Sequence, residues 1–321
     1  MQQISEVLEH VKTMGIAGHI RPDGDCVSSC MALYLYILEY YPEIQADVYL
    51  EEPKPIFGHI DRIGDIKHTA PEETVYDLIV TCDVSSRDRL ALAGTCFDKA
   101  KKTVCIDHHV SNLGFADVNH ICGTVSSCCE VLYGLLEPEK VNRSIATAIY
   151  TGMIHDTGVF QYSSTSPDTM RIAGELMKTG FDFNRIIDES FYQKTYIQNQ
   201  VMGRVLAESI MLSEGKCIVG YLRKKDMEFY GVDGKDLDGI VSQLRLTKGV
   251  EVAIFVYETE TQKFKVSMRS NGRIDVSQVA VYFGGGGHVR AAGCELSGSV
   301  YDVVNNITAE IERQMLMEKE A

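Results

Sequence analysis

The stretch Val104 to Asn112 reads Val-Cys-Ile-Asp-His-His-Val-Ser-Asn, and it narrows the folds open to this chain. A short β-rich apolar run delivers one acid and two adjacent imidazoles, then breaks into a polar turn. As a buried parallel strand it would bring Asp107, His108 and His109 out at its carboxyl end, where open α/β sheets bind ligands. Taken alone, the stretch reads equally well as a surface turn that holds two histidines. Three other segments repeat the arrangement. In His19-Ile-Arg-Pro-Asp23-Gly-Asp25, Pro22 and Gly24 bend a loop so that His19, Asp23 and Asp25 converge. Asp83 follows the apolar run ending at Cys82. Asp156 follows the apolar run Ala148 to Ile154, and Thr157-Gly158 break the chain after it.

The runs between these clusters set the fold class. Strands are predicted at Gly15–Ile20, Asp47–Leu50, Asp77–Cys82 and Thr103–Ile106. Helices are predicted at Ser5–Met14, Cys26–Tyr41, Val125–Leu136, Arg143–Ile154 and Pro167–Gly180, with Pro42 ending the second. Cys26–Tyr41 is apolar nearly all round, which marks a buried helix. Strands alternating with helices imply right-handed βαβ units and a mostly parallel sheet. Tyr192–Met211 is polar and helical in period and reads as a linker. Beyond it, Lys216–Leu222, Val250–Glu258 and Lys263–Arg269 read as strands of a different pattern. The expectation is an α/β chain: a mostly parallel N-terminal sheet with flanking helices over residues 1–191, a helical linker over 192–211, and a smaller α+β domain over 212–321.

Composition removes several function classes. A net charge of −14 argues against a long basic groove for duplex nucleic acid. No apolar run approaches the roughly 20 residues of a membrane helix. Met1–Met14 is polar and periodic rather than a signal peptide, so a cytoplasmic protein is expected. The ten Cys show no paired spacing, which suits reduced core thiols better than a disulfide framework.

If the four clusters share one crevice, their charge must be answered. Two carboxylates about 4 Å apart repel by about 4 kcal/mol at an effective dielectric near 20. Imidazole mixed with carboxylate, without a thiolate pattern, suits Mn²⁺ or similar ions. The ligands suffice for two divalent ions that share a bridging carboxylate, the arrangement that serves phosphoryl transfer.

Gly18-His-Ile-Arg-Pro-Asp-Gly-Asp25, Asp83, Asp107-His-His109 and His155-Asp-Thr-Gly158 together resemble the four motifs of the DHH phosphoesterases. Gly284-Gly-Gly-Gly-His288-Val-Arg-Ala-Ala-Gly293 resembles the signature of the DHH-associated C-terminal domain. The resemblance spans nearly the whole chain and is nearest to the branch of oligoribonucleases (nano-RNases) and pAp phosphatases. It implies one metal held by His19, Asp23 and Asp83, and another by Asp25, His108 and Asp156, with Asp83 bridging and Mn²⁺ the expected ion. It implies that His109 faces the scissile phosphate and that Asp107 orients a histidine. His155, beside Asp156, is not taken as a ligand. Cys128 departs from the family, which often has Thr there.

In the second domain, Gly285, Gly286, His288 and Arg269 are expected to grip a phosphate or base, with Arg89 assisting from the first. The four glycines at 284–287 read as a flexible anion loop and Ala291-Ala292 as a helix start. The implied substrates are short oligoribonucleotides, linear dinucleotides such as pApA and pGpG, and pAp. A cyclic-dinucleotide phosphodiesterase or a single-strand-specific exonuclease of the same superfamily is the alternative. No membrane partner is expected, and a homodimer stays open.

Overall fold

A computed structural model describes residues 3–71, 73–90 and 92–320, in two compact units, 1–193 and 194–321. Residues 1, 2, 72, 91 and 321, including the Met1 that opens the expected first domain, lie outside the described residues.

The first unit contains β1 (Thr13–Ala17), α1 (Gly24–Tyr40), β2 (Gln45–Tyr49), β3 (Leu78–Cys82), α2 (Gly94–Lys99), β4 (Thr103–Asp107), β5 (Val118–Ile121), α3 (Cys128–Tyr133), α4 (Arg143–Thr157), α5 (Pro167–Met177) and α6 (Phe183–Ile187). Its five strands are all parallel, in the order β2-β1-β3-β4-β5. Every residue of β3 and β4 is buried, as expected of strands covered on both faces. The order reverses between β1 and β3. At such a switch point the chain leaves neighbouring strands in opposite directions and opens a crevice at their carboxyl ends. α1 is buried from Gly24 to Ile37 all round its circumference, because it lies between the sheet and α3 and α4.

Two local expectations are corrected. Ser5–Met14 is not a helix: a single 3₁₀ turn, Ile4–Val7, is followed by His10 in the left-handed region (φ 65°), and β1 already starts at Thr13. The apolar spacing of Ile4, Val7 and Leu8 imitates a helical face but serves one buried turn. The short edge strand β5 was not predicted. Its half-exposed sequence Val-Asn-His-Ile lacks the apolar run that marks the central strands.

The second unit comprises α7 (Tyr196–Ala207), β6 (Ile210–Leu212), β7 (Cys217–Leu222), α8 (Lys224–Tyr230), α9 (Ile240–Arg245), β8 (Val252–Glu260), β9 (Lys263–Ser270), α10 (Val276–Tyr282), β10 (Gly286–His288), β11 (Ala291–Ser297) and α11 (Val300–Glu320). The sheet order is β10-β11-β9-β8-β7-β6, antiparallel except for β7 with β8. β8 alternates between two cores. Val252, Ile254 and Val256 pack with Val276, Val279, Val303 and Ile307, while Ala253 and Phe255 pack with Leu244, Val201 and Val205. The helix in the expected linker therefore contributes Val201 and Val205 to the core of this unit.

Candidate metal centre

Each acidic cluster emerges from an element whose local chemistry explains its direction. Asp23 caps α1: its Oδ1 accepts the backbone N–H groups of Asp25 and Cys26, both at 3.2 Å. That cap turns Asp25 inward on the first turn, where it is 1% exposed. Both Asp25 oxygens then accept N–H groups from the start of α3, from Cys128 at 2.5 Å and Cys129 at 3.0 Å. Because the contact is made by main chain, Cys in place of Thr at 128 leaves it intact. Sequence reasoning passed over this pair of donors; the signal was Ser127, three residues before Glu130, which announces a helix start with free N–H groups. Gly152 on α4 faces the same spot. A Cβ there would stand 2.3 Å from Cys129 Sγ and 2.8 Å from Asp25 Oδ1.

Asp83 directly follows β3 and takes the left-handed conformation (φ 60°), a strain that proteins keep mainly at functional sites. It is 2% exposed, and its two oxygens face different imidazoles, with His109 Nδ1 also 3.6 Å from Oδ1. Oδ2 is 3.4 Å from His19 Nε2, and Oδ1 is 3.5 Å from His108 Nε2. Oδ1 has no hydrogen-bond partner among the described residues. His19 Nδ1 contacts the Ile20 carbonyl at 2.7 Å, which assigns its proton to Nδ1 and leaves Nε2 facing Asp83 and, at 3.8 Å, Asp23 Oδ1. His108 Nε2 also lies 3.4 Å from Asp156 Oδ2 and 3.9 Å from Asp25 Oδ2. Asp156 comes from the last turn of α4, which Gly158 ends in the left-handed region.

These separations are too long for good hydrogen bonds. The shortest of them, 3.4 Å, reach the spacing of donors about a shared cation, since two ligand atoms each about 2.1 Å from one ion stand about 3.0–3.4 Å apart. His19, Cys26 and Asp83 form one group with ligand atoms mutually within 4.8 Å, and Asp25, His108 and Asp156 form another. An orphaned carboxylate oxygen, two imidazoles turned Nε2-inward and four acids fit divalent metal.

The electrostatics point the same way. Burial, with Asp83 and Asp156 nearby, pushes Asp25 well above the usual carboxylate range. Burial, reinforced by Asp83 and opposed by His108, lifts Asp156 to about 7. Burial disfavours charged His108, but Asp83, Asp25 and Asp156 override it and raise its pKa to about 10. His19 is likewise driven up by Asp23 and Asp83 against its burial. The cluster holds protons where a cation would replace them.

Beside it, His109 Nδ1 meets Asp107 Oδ1 at 2.7 Å, and the other Asp107 oxygen accepts from Asn112 Nδ2, also at 2.7 Å. Burial raises fully buried Asp107, but His109 and Asn112 reverse this and hold it low. Its hydrogen bond in turn raises His109. Asn112 was not singled out in the sequence. It also bonds the Val84 carbonyl and, through its own oxygen, the Gly114 N–H, which fixes the loop after β4. Arg89 is half-buried, and its carbonyl accepts the Ile20 N–H at 3.0 Å, tying its turn to the loop of His19. His155 Nε2 is 3.1 Å from Ser190 Oγ.

The remaining sequence-selected residues belong to the second unit. Gly286–His288 is a short edge strand rather than a loose loop, and Ala291-Ala292 begins β11 rather than a helix. The apolar Ala-Ala pair carries no helix cap and pairs across the sheet instead. His288 faces Ala291, and Ala291 faces Arg269, so the three share one row and one face. Gly285 is required by close approach, since a Cβ would stand 2.2 Å from the Gly293 carbonyl oxygen. Nothing lies within 4 Å of a Cβ built on Gly286.

Comparison with known proteins agrees with this architecture. Residues 13–153 match the DHH family, N-terminal domain, and residues 214–316 match the DHHA1 domain. The chain is 25% identical over 299 residues to the bifunctional oligoribonuclease and PAP phosphatase NrnA of Bacillus subtilis, covering 92% of each chain. It is 27% identical over 320 residues to the protein of the same name from Thermus thermophilus, covering 98% of this chain and 94% of the relative. The crystal structure of an exopolyphosphatase-related protein from Bacteroides fragilis superposes with a TM-score of 0.88 at 22% identity, over 98% of this chain and 96% of that one. No helix among the described residues is long and apolar enough to cross a membrane.

Proposed function

The chain belongs to the DHH family, with a DHHA1 domain in its second half, and from that premise we propose that it hydrolyses phosphoester bonds in short nucleotides. It releases mononucleotides from very short oligoribonucleotides, linear dinucleotides among them, and removes the 3′-phosphate of pAp. The names of the Bacillus and Thermus relatives support this substrate class. The observation that carries the reading is Asp83, whose two oxygens lie 3.4 and 3.5 Å from imidazoles of two separate donor groups.

In this reading His19, Asp23 and Asp83 hold one divalent ion, and Asp25, His108 and Asp156 hold a second, with Asp83 shared. Mn²⁺ is the expected ion, because the donors are mainly oxygen and imidazole. When bound, such ions lower the pKa of a water and offset charge on a phosphoryl group. The protein's own groups do the rest. Asp107 and Asn112 fix the His109 ring so that Nε2 faces outward, placed to bond a phosphate oxygen or give a proton to the leaving oxygen. The α3 N–H groups keep both Asp25 oxygens in place. Arg269, Gly285, Gly286 and His288 bind the substrate's other phosphate or base, and Arg89 neutralises charge. An acidic protein thus handles RNA with a few positioned donors. The place of action is the cytoplasm.

The test is purified protein with Mn²⁺ against labelled di- to pentanucleotides, pAp, cyclic dinucleotides and pyrophosphate. Turnover of short oligomers and pAp is expected. Turnover of pyrophosphate alone, or of intact cyclic dinucleotides alone, would overturn the substrate assignment.

A further inference from the structure

Cys26 is the second described candidate donor on the first turn of α1, one residue after Asp25 and three after Asp23, and it is fully buried. Its sulfur accepts the His19 backbone N–H at 3.3 Å. It also lies with His19 and Asp83 in a group whose ligand atoms are all within 4.8 Å of one another. The neighbouring backbone makes room for it: a Cβ on Gly18 would stand 2.2 Å from Cys26 Sγ. Asp23, by contrast, has its Oδ1 engaged as the helix cap and a side chain 62% exposed, whereas the Cys26 sulfur lies on the buried side, 4.0 Å from the Cys82 carbonyl oxygen. Asp83, 2% exposed, turns Oδ2 towards His19 of the same group, 3.4 Å from its Nε2.

We propose that Cys26 is a thiolate ligand of the ion held by His19 and Asp83, and that it tilts this position towards Zn²⁺ and Co²⁺ over Mn²⁺. The inference rests on the reading that His19 and Asp83 hold a metal. Imidazole, carboxylate and thiolate form a mixed N, O, S set, and sulfur favours softer ions. Donors around tetrahedral zinc stand about 3.4–3.6 Å apart, close to the 3.4 Å between His19 Nε2 and Asp83 Oδ2. On binding, the S–H bond breaks, its proton leaves to solvent, and a sulfur lone pair forms the bond to the metal. No oxidant takes part. The group of Asp25, His108 and Asp156 has no sulfur donor among the described residues, so the two positions differ in the ions they prefer.

Metal-depleted full-length protein titrated with Co²⁺ provides the test, read by absorption. A thiolate-to-cobalt charge-transfer band is expected, absent in both Cys26→Ala and Cys26→Ser. Zn²⁺ affinity falls at least about tenfold in these variants, since even outer-sphere partners cost that much. Zinc-edge X-ray absorption on the unsubstituted protein reads the same point without relying on a variant to fold: one sulfur neighbour is expected. Co²⁺ uptake without the band, a band that survives both substitutions, or zinc with no sulfur neighbour overturns the role of Cys26 while leaving the metal centre standing. Failure to take up any of these ions overturns the metal centre itself.

Discussion

At the scale of single residues, the centre is organised by hydrogen bonds that decide which lone pairs remain for a cation. His19 gives its Nδ1 proton to the next carbonyl, and both Asp25 oxygens accept N–H groups of α3, so direction is set before any ion arrives. Asp83→Ala removes the carboxylate that the proposed function shares between two ions. We expect turnover to fall about a thousandfold or more, because metal ions contribute several kcal/mol to such transition states. Steady-state kinetics together with metal content measure it; retained activity would count against sharing. Asp107→Asn keeps the shape but loses the charge that orients His109. A fall of roughly 10–100-fold in kcat, with metal content unchanged, is expected. Parallel loss of both would place Asp107 in support of the metal rather than of His109.

At the scale of elements, two close approaches carry the site. Where α4 crosses α1 and α3, Gly152 leaves no room for a methyl beside Cys129 and Asp25. Gly152→Ala should cost about 1–3 kcal/mol by overpacking and loosen metal binding. Thermal unfolding and a Mn²⁺ titration measure both, and an unchanged melting point would show that α4 shifts freely. In the other unit, the row His288-Ala291-Arg269 exists only because β10 and β11 pair in that register. Arg269→Ala should raise KM for pAp by roughly 10–100-fold, the worth of one charged hydrogen bond, and leave metal affinity alone. An effect on kcat with KM intact would argue against a binding role.

At the scale of the whole molecule, the chain has separate hydrophobic cores in its two units, and the donor groups all belong to the first. A ligand that binds the folded state stabilises it by about 2.7 kcal/mol at a hundred times its Kd. For a unit of this size that amounts to roughly 5–10 °C. Mn²⁺ should therefore raise the transition of the first unit and leave the second in place. Differential scanning calorimetry with and without chelator checks this; equal shifts in both would show that ion binding reaches beyond the donor groups.

The α/β class, the parallel strands and the buried helix were legible in the sequence, because each rests on local pattern: apolar runs of strand length and caps at run ends. Of the candidate donors, the sequence showed only acids and histidines placed at run ends; their assignment to metals came from the family resemblance. The corrected elements were those whose local signal was ambiguous. The early apolar residues imitate a helix until His10 breaks it, and Ala291-Ala292 has helix propensity that sheet pairing overrides. Asn112, the α3 N–H donors and the sulfur of Cys26 acquire meaning only through neighbours distant along the chain, such as Asp25, 103 positions before Cys128. Sequence by itself determined which groups are available and which element carries each. Tertiary structure alone decided which of their lone pairs face one another, because that depends on the strand order that places β3 between β1 and β4.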